Sequence, residues 1–353
     1  MSNFYKKKII SKVAPVISGL QIHRLFQPFY SGMGQVLTFH RVVEDKMDFR
    51  IHNHQSLEVT PEQLKQTIQF YKSKNYAFFS LDDLHHALTV EKPKQKFVVF
   101  TFDDGYRDNF TNAYPILKKH NVPFCIYVTT NFPDQKAILW WYLLEDFLKE
   151  ESSVKFQWEG INYLIPSKTI SEKEMAFDQI RILINQSFSK GNFKDMLNVV
   201  FGKKESDYLS YVEKMAMSWE EIKLISQDPL VTIGAHTVNH FPLTRLDSSD
   251  LEFEILESKR LLEKYIQQPV NHFAYPFGKV TEATFREFEM VKSLGLKTGT
   301  TTRIGNIFSQ HKNYLECLPR ISLNQVSTSS VLDMQTSGML PFIYHKGKKV
   351  ISN

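Results

Sequence analysis

Cysteine is nearly missing from this chain: its 353 residues hold two, Cys125 and Cys317. Both lie in apolar, strand-like surroundings without metal-type spacing. They read as buried free thiols, which excludes a disulfide framework and a thiolate metal knot. Long hydrophobic runs are missing as well, and nothing approaches the ~18–20 apolar residues of a transmembrane helix. Charge of one sign never gathers beyond Lys6-Lys7-Lys8 and the cluster Lys346, Lys348 and Lys349. A net charge of +5 so dispersed argues against a nucleic-acid partner. The basic start lacks a small-residue cleavage pattern and is broken by Lys12 and Pro15, which makes it a poor signal peptide. No internal repeat or low-complexity segment occurs. The default compartment on these grounds is the cytoplasm, and the sequence leaves the oligomeric state open.

What is present is a large supply of core material: 42% of residues are hydrophobic and 28 are Phe. At this length the chain fills one large domain or two modest ones. Residues 1–33 form a basic leader in which Ile9, Ile10, Val13, Val16 and Ile17 recur at roughly helical spacing. It reads as a surface helix packed on the domain, or as a peripheral contact with an acidic membrane face. Gln35–Val42 then reads as a strand, and Thr60-Pro61-Glu62-Gln63 opens a helix with a capping box. A short strand at Tyr76–Phe79 precedes the cap Ser80-Leu81-Asp82-Asp83. Further strands are expected at Phe97–Phe102, Pro123–Val128, Val231–Ala235, His272–Tyr275, Lys297–Thr301 and Leu315–Ile321, with helices between most of them. That alternation signals βαβ units and an α/β fold, a distorted (β/α) barrel of about seven strands. Residues 131–217 interrupt it as a mainly helical insertion with one strand-like piece, Val154–Ile165. The barrel spans 34–330 and a tail covers 331–353.

Three motifs carry chemistry, each at the end of a strand. Phe97–Phe102 runs into Asp103-Asp104-Gly105. Two adjacent carboxylates there are costly to desolvate, and a divalent cation is an economical compensation. Gly105 would turn the chain so that both face one pocket. His236-Thr237-Val238-Asn239-His240 follows the strand ending at Ala235. If a helical turn begins there, His236 and His240 share a face and can ligate one ion, and two imidazoles with a carboxylate make a catalytic metal set. Tyr275-Pro276-Phe277-Gly278 fixes a turn that could aim an amide N–H at an oxyanion.

In this order the motifs resemble those of the polysaccharide deacetylases, the carbohydrate esterase group that includes the NodB-type enzymes. The resemblance spans about Val36 to Leu323. It implies the distorted barrel and a hydrolase that removes N-acetyl groups from an amino sugar in a glycan or a linked precursor. Asp103 would be the general base, Asp104, His236 and His240 the ligands of a divalent metal (zinc is usual in the family), and the Phe277 N–H an oxyanion donor. Thr237 would shape the site, with Tyr275 beside the substrate. The family's arginine two residues before the proline is replaced by Ala274, and Arg320 is the candidate substitute. The family's Leu-x-His acid is also missing. His40, in Thr-Phe-His-Arg-Val, resembles the N-terminal histidine of the permuted poly-N-acetylglucosamine deacetylases and is taken as the acid, with His345 a distant alternative. Tyr106, Trp140 and Trp141 are candidate sugar platforms. Hydrolysis of another non-peptide amide, or glycan binding without catalysis, are the competing readings.

Overall fold

The structure, a computed structural model, describes residues 3–44, 50–188, 191–202 and 205–352. Eight parallel strands form the principal sheet: β1 (Gly34–Phe39), β2 (Ala77–Phe79), β3 (Phe97–Phe102), β4 (Phe124–Val128), β5 (Val231–Ala235), β6 (His272–Ala274), β7 (Thr298–Thr300) and β8 (Ile321–Ser322). Their spatial order is β7-β6-β5-β4-β3-β1-β8, with β2 beside the first half of β3. The sheet curls into a barrel that nearly closes where Leu318 bridges Thr300, its N–H donating to Gly299 and its carbonyl accepting from Thr301. The strand expected over Leu315–Ile321 is therefore mostly a 3₁₀ turn (Leu315–Cys317) followed by the two-residue β8. Glu316 O crosses so close to Gly299 that a Cβ there would lie 2.2 Å away, and Pro319 has no N–H to continue a ladder.

β3 is buried on both faces. Val98, Phe100 and Phe102 join the core under the helices, while Phe97 and Val99 join the barrel interior with Val36, Cys125, Tyr127 and Ala274. Period two therefore carries the interior face onward through Thr101 to Asp103. The helix Pro61–Ser73 starts at the capping box of Thr60 and Gln63, and the box of Ser218 and Glu221 starts Trp219–Ile225.

The insertion has its own core, built from the helices Trp140–Glu150, Ile170–Phe188 and Phe193–Phe201 and a β-hairpin. The piece read as one strand is the hairpin Ser153–Trp158 with Ile161–Pro166, turned by Glu159 and Gly160 at φ 49° and 78°. Two successive positive φ values match the right-handed twist of a two-residue hairpin. The chain's two ends, read apart as leader and tail, pack on each other. Helix Asn3–Gly19 lies along Ser329–Thr336, with Ile10, Ala14 and Ile17 against Val331, Met334 and Leu340. Among the described residues no helix is long and apolar enough to cross a membrane.

Candidate active site

β1 and β3 pair in register, Thr38 opposite Thr101, and the Asp103 N–H extends the ladder to Phe39 O at 2.9 Å. Two residues further on, His40 and Asp103 stand opposite each other on the interior face. His40 Nε2 lies 3.9 Å from Asp103 Oδ2, and Asn109 Nδ2 donates to His40 O at 2.8 Å. Arg320 enters the barrel just before β8 and is fully buried. Its guanidinium donates twice to Asp103, to each oxygen at 2.7 Å, and also to Thr101 Oγ1 and Thr301 O. Burial works against the Asp103 charge, but the Arg320 guanidinium wins and holds its pKa below the usual carboxylate value. For His40, burial outweighs the pull of Asp104 and Asp103, so its pKa is lowered and the ring is neutral at neutral pH.

Asp104 would point to the opposite face of an extended strand. It is turned back by its own left-handed backbone, φ 78°, followed by Gly105 at φ 86°. The turn thus begins one residue earlier than expected from Gly105 alone. Asp104 Oδ1 sits 3.3 Å from His236 Nε2 and 3.2 Å from His240 Nε2. Burial opposes its charge, but His240 and His236 when protonated overcome that and hold its pKa well below the usual range, a part that a cation would play between neutral rings.

The helical turn expected at 236–240 does not form. The segment is a loop with Thr237 at φ 66° and His240 at φ 59°. Glu254, buried on the helix Ser248–Ile266, accepts the Val238 and Asn239 N–H groups at 2.9 Å, and Thr237 Oγ1 accepts the His240 N–H at 3.0 Å. These bonds satisfy the backbone that a helix would have satisfied and still bring the imidazoles together. His236 Nδ1 is 2.7 Å from Ala274 O, which as a carbonyl can only accept, so the proton sits on Nδ1 and Nε2 is left as a lone-pair donor toward Asp104.

The three donor atoms lie within 4.8 Å of one another. Asp104 Oδ1 is buried without a hydrogen-bond donor of its own. A carboxylate oxygen so placed, between two imidazole nitrogens, fits a divalent cation, and the donor set suits zinc.

Other expected site residues fall elsewhere. Tyr275 is fully buried, donating to Glu316 O at 2.7 Å and packing on Phe273 and Phe288. Alternation along β6 turns Ala274 inward and Tyr275 outward, so Tyr275 offers no surface to a substrate. Phe277 is half-buried at φ 60°, its ring 5.1 Å from that of His240. His345 bonds Ile304 O and is remote from the motifs. Of the three candidate platforms, Trp140 lies in the insertion core and Tyr106 is buried beneath the Arg41 guanidinium. Trp141 alone reaches the site half-exposed, 5.7 Å from the His240 ring, its indole N–H 3.3 Å from Tyr106 Oη.

Sequence reasoning missed Arg41, Asp108, Asn109 and Glu254. Arg41 pairs with Asp108 and donates to Tyr142 Oη, tying the strand that carries His40 to the insertion. The signal for Asp108 and Asn109 was their place in the turn just after Asp104; Glu254, fourteen residues beyond His240, left none in the sequence.

The sequence profile described as polysaccharide deacetylase matches residues 90–175 and 193–299, together more than half of the chain. The chain belongs to the polysaccharide deacetylase family. The Bacillus subtilis (strain 168) protein YxkH, named for the same family, is 21% identical over 256 residues, which are 72% of this chain and 62% of that protein. The match therefore spans less than two thirds of that relative. Among solved structures, the Streptococcus pyogenes deacetylase PplD in complex with acetate aligns with a TM-score of 0.56 and 20% identity, over 85% of this chain and 97% of its own. IcaB from Ammonifex degensii aligns at 0.52 and 18%, over 86% and 97%. These likenesses show the shared barrel. His40 and Arg320 both lie outside the matched segments.

Proposed function

We propose that this chain removes acetyl groups from an N-acetylated amino sugar within a glycan or a linked glycan precursor, with a divalent cation on Asp104, His236 and His240. The observation that carries this reading is the pairing of those three donors with a second carboxylate, Asp103, that cannot join them because Arg320 holds both its oxygens. The site thus keeps one carboxylate as ligand and one as base. A bound cation supplies Lewis acidity toward the acetamide carbonyl and acidifies water.

The chain's own residues supply the rest. Asp103, kept ionised by Arg320, takes the proton of the attacking water. His40 starts neutral and stands 3.9 Å away, so it serves as the carrier that returns this proton to the departing amine. The Phe277 backbone at the Pro276–Gly278 turn is the candidate oxyanion donor, and the partly buried Trp141 ring beside His240 is the candidate surface for a pyranose ring. Acetate release from N-acetylglucosamine oligomers tests this. Asp103→Asn should lower it by at least about a hundredfold. Wild-type protein that binds such oligomers without releasing acetate would instead mark a glycan-binding protein, and turnover of other amides only would shift the substrate class.

A further inference from the structure

The end-on-end packing of the chain's termini leaves a surface that the catalytic reading does not use. Helix Asn3–Gly19 buries one stripe against the C-terminal helices and exposes a second. Ile9, Val13, Val16 and Leu20, spaced by four, three and four residues, lie on one face and are 48%, 44%, 62% and 69% exposed. The apolar strip continues through Leu25 and Phe29, 74% and 62% exposed, on the following short helices. Monomeric proteins seldom leave so continuous an apolar surface unpartnered.

Charge says what covers it. Residues 1–30 and 334–353 contain Lys6, Lys7, Lys8, Lys12, Arg24, Lys346, Lys348 and Lys349 and no acidic residue, while the rest of the chain carries 35 basic against 38 acidic residues. The net positive charge of the molecule is thus confined to the two segments that build this face. Lys349 Nζ lies 5.7 Å from the Phe29 ring centroid and 5.1 Å from that of Tyr30, which places a cation within the apolar strip. Lys12 and Arg24 are exposed at its side. Exposed apolar side chains interleaved with cations suit the boundary between anionic headgroups and acyl chains. They suit a second copy of the same face poorly, because it would set cations against cations.

We propose that this face docks the protein peripherally on an anionic lipid bilayer, through the apolar strip Ile9 to Phe29 and the cations of both termini. The docking is independent of the reaction assigned above and would bring the barrel to glycans displayed at a membrane surface.

Co-sedimentation of the full chain with sucrose-loaded vesicles tests it. Binding is expected to vesicles of equal parts phosphatidylcholine and phosphatidylglycerol, and to fall at least about tenfold on pure phosphatidylcholine or when salt is raised from about 0.1 M to about 1 M. Val16→Glu with Leu25→Glu should abolish it, with thermal unfolding and acetate release from soluble oligomers unchanged. No binding to either vesicle, or equal and salt-insensitive binding to both, would overturn the proposal. So would a dimer in light scattering that Val16→Glu dissociates, since the face would then be a self-association surface. Loss of acetate release without loss of vesicle binding would concern the reaction only.

Discussion

Arg320 decides what Asp103 can be. A buried carboxylate beside Asp104 and near two imidazoles would otherwise be protonated or drawn to a cation, and a guanidinium holding both its oxygens prevents either outcome. Replacing Arg320 by Met should raise the Asp103 pKa, lower acetate release by at least about a hundredfold and cost about 3–5 kcal/mol of stability, while metal content stays the same. Steady-state kinetics, urea unfolding and metal analysis on one preparation check this; activity within a few-fold of wild type would sink the positioning role. At this scale much was legible. Asp103, Asp104, His236 and His240 stand in recognisable motifs, and Arg320 and His40 at strand ends. Tyr275 was set beside the substrate and lies in the core instead, because the motif shows a strand end without saying which face each residue takes. The period of β6, with Ala274 inward, is what turns it into the core.

The loop between β5 and the helix Ser248–Ile266 shows what lies beyond a motif. His-x-x-x-His fits one turn of helix, yet here two left-handed residues and a buried glutamate produce the same convergence. Helix 248–266 supplies Glu254 from outside the motif, so no local spacing could reveal it. Burial raises the Glu254 pKa, and the N–H donors of Val238 and Asn239 only partly offset this. Glu254→Ala should therefore weaken zinc about 10–100-fold, as loss of a group supporting the ligands does, and cost about 1–3 kcal/mol of stability. Competition with a chromophoric chelator measures the first effect, and unchanged affinity would show that the loop holds its shape unaided. The hairpin in the insertion was legible in principle: Glu159-Gly160 is a turn signal inside an apolar, alternating run. It was lost because its strands follow each other so closely that they read as one.

Over the whole molecule, the alternating strands and helices were enough to give the barrel, and the break in that pattern covers the stretch where a second core gathers around Trp140, Phe177 and Leu197. The mutual packing of the termini was not legible, since contacts between residues more than three hundred apart leave no periodic trace. His311 illustrates a property that belongs to the packed molecule. It is buried beneath Phe308, whose N–H donates to its Nδ1 at 2.9 Å, and burial lowers its pKa from 6.5 to about 4. A proton then binds the unfolded chain but not the folded one between those values, so stability is full above about pH 6.5 and falls by about 3 kcal/mol as pH drops toward 4. Urea unfolding at several pH values should show a shallower acid loss for His311→Gln than for wild type; identical slopes would assign the loss elsewhere.

The central claim, that Asp104, His236 and His240 hold a catalytic cation beside Asp103, is met most directly by titrating metal-stripped protein with zinc while following acetate release from N-acetylglucosamine oligomers. Activity should rise in proportion to zinc and break at about one equivalent per chain. Asp103→Asn should bind the same equivalent and release nothing, and His240→Ala should lose the break itself. Full activity in the stripped protein, or a His240→Ala variant that still binds one zinc and turns over normally, would contradict the assignment.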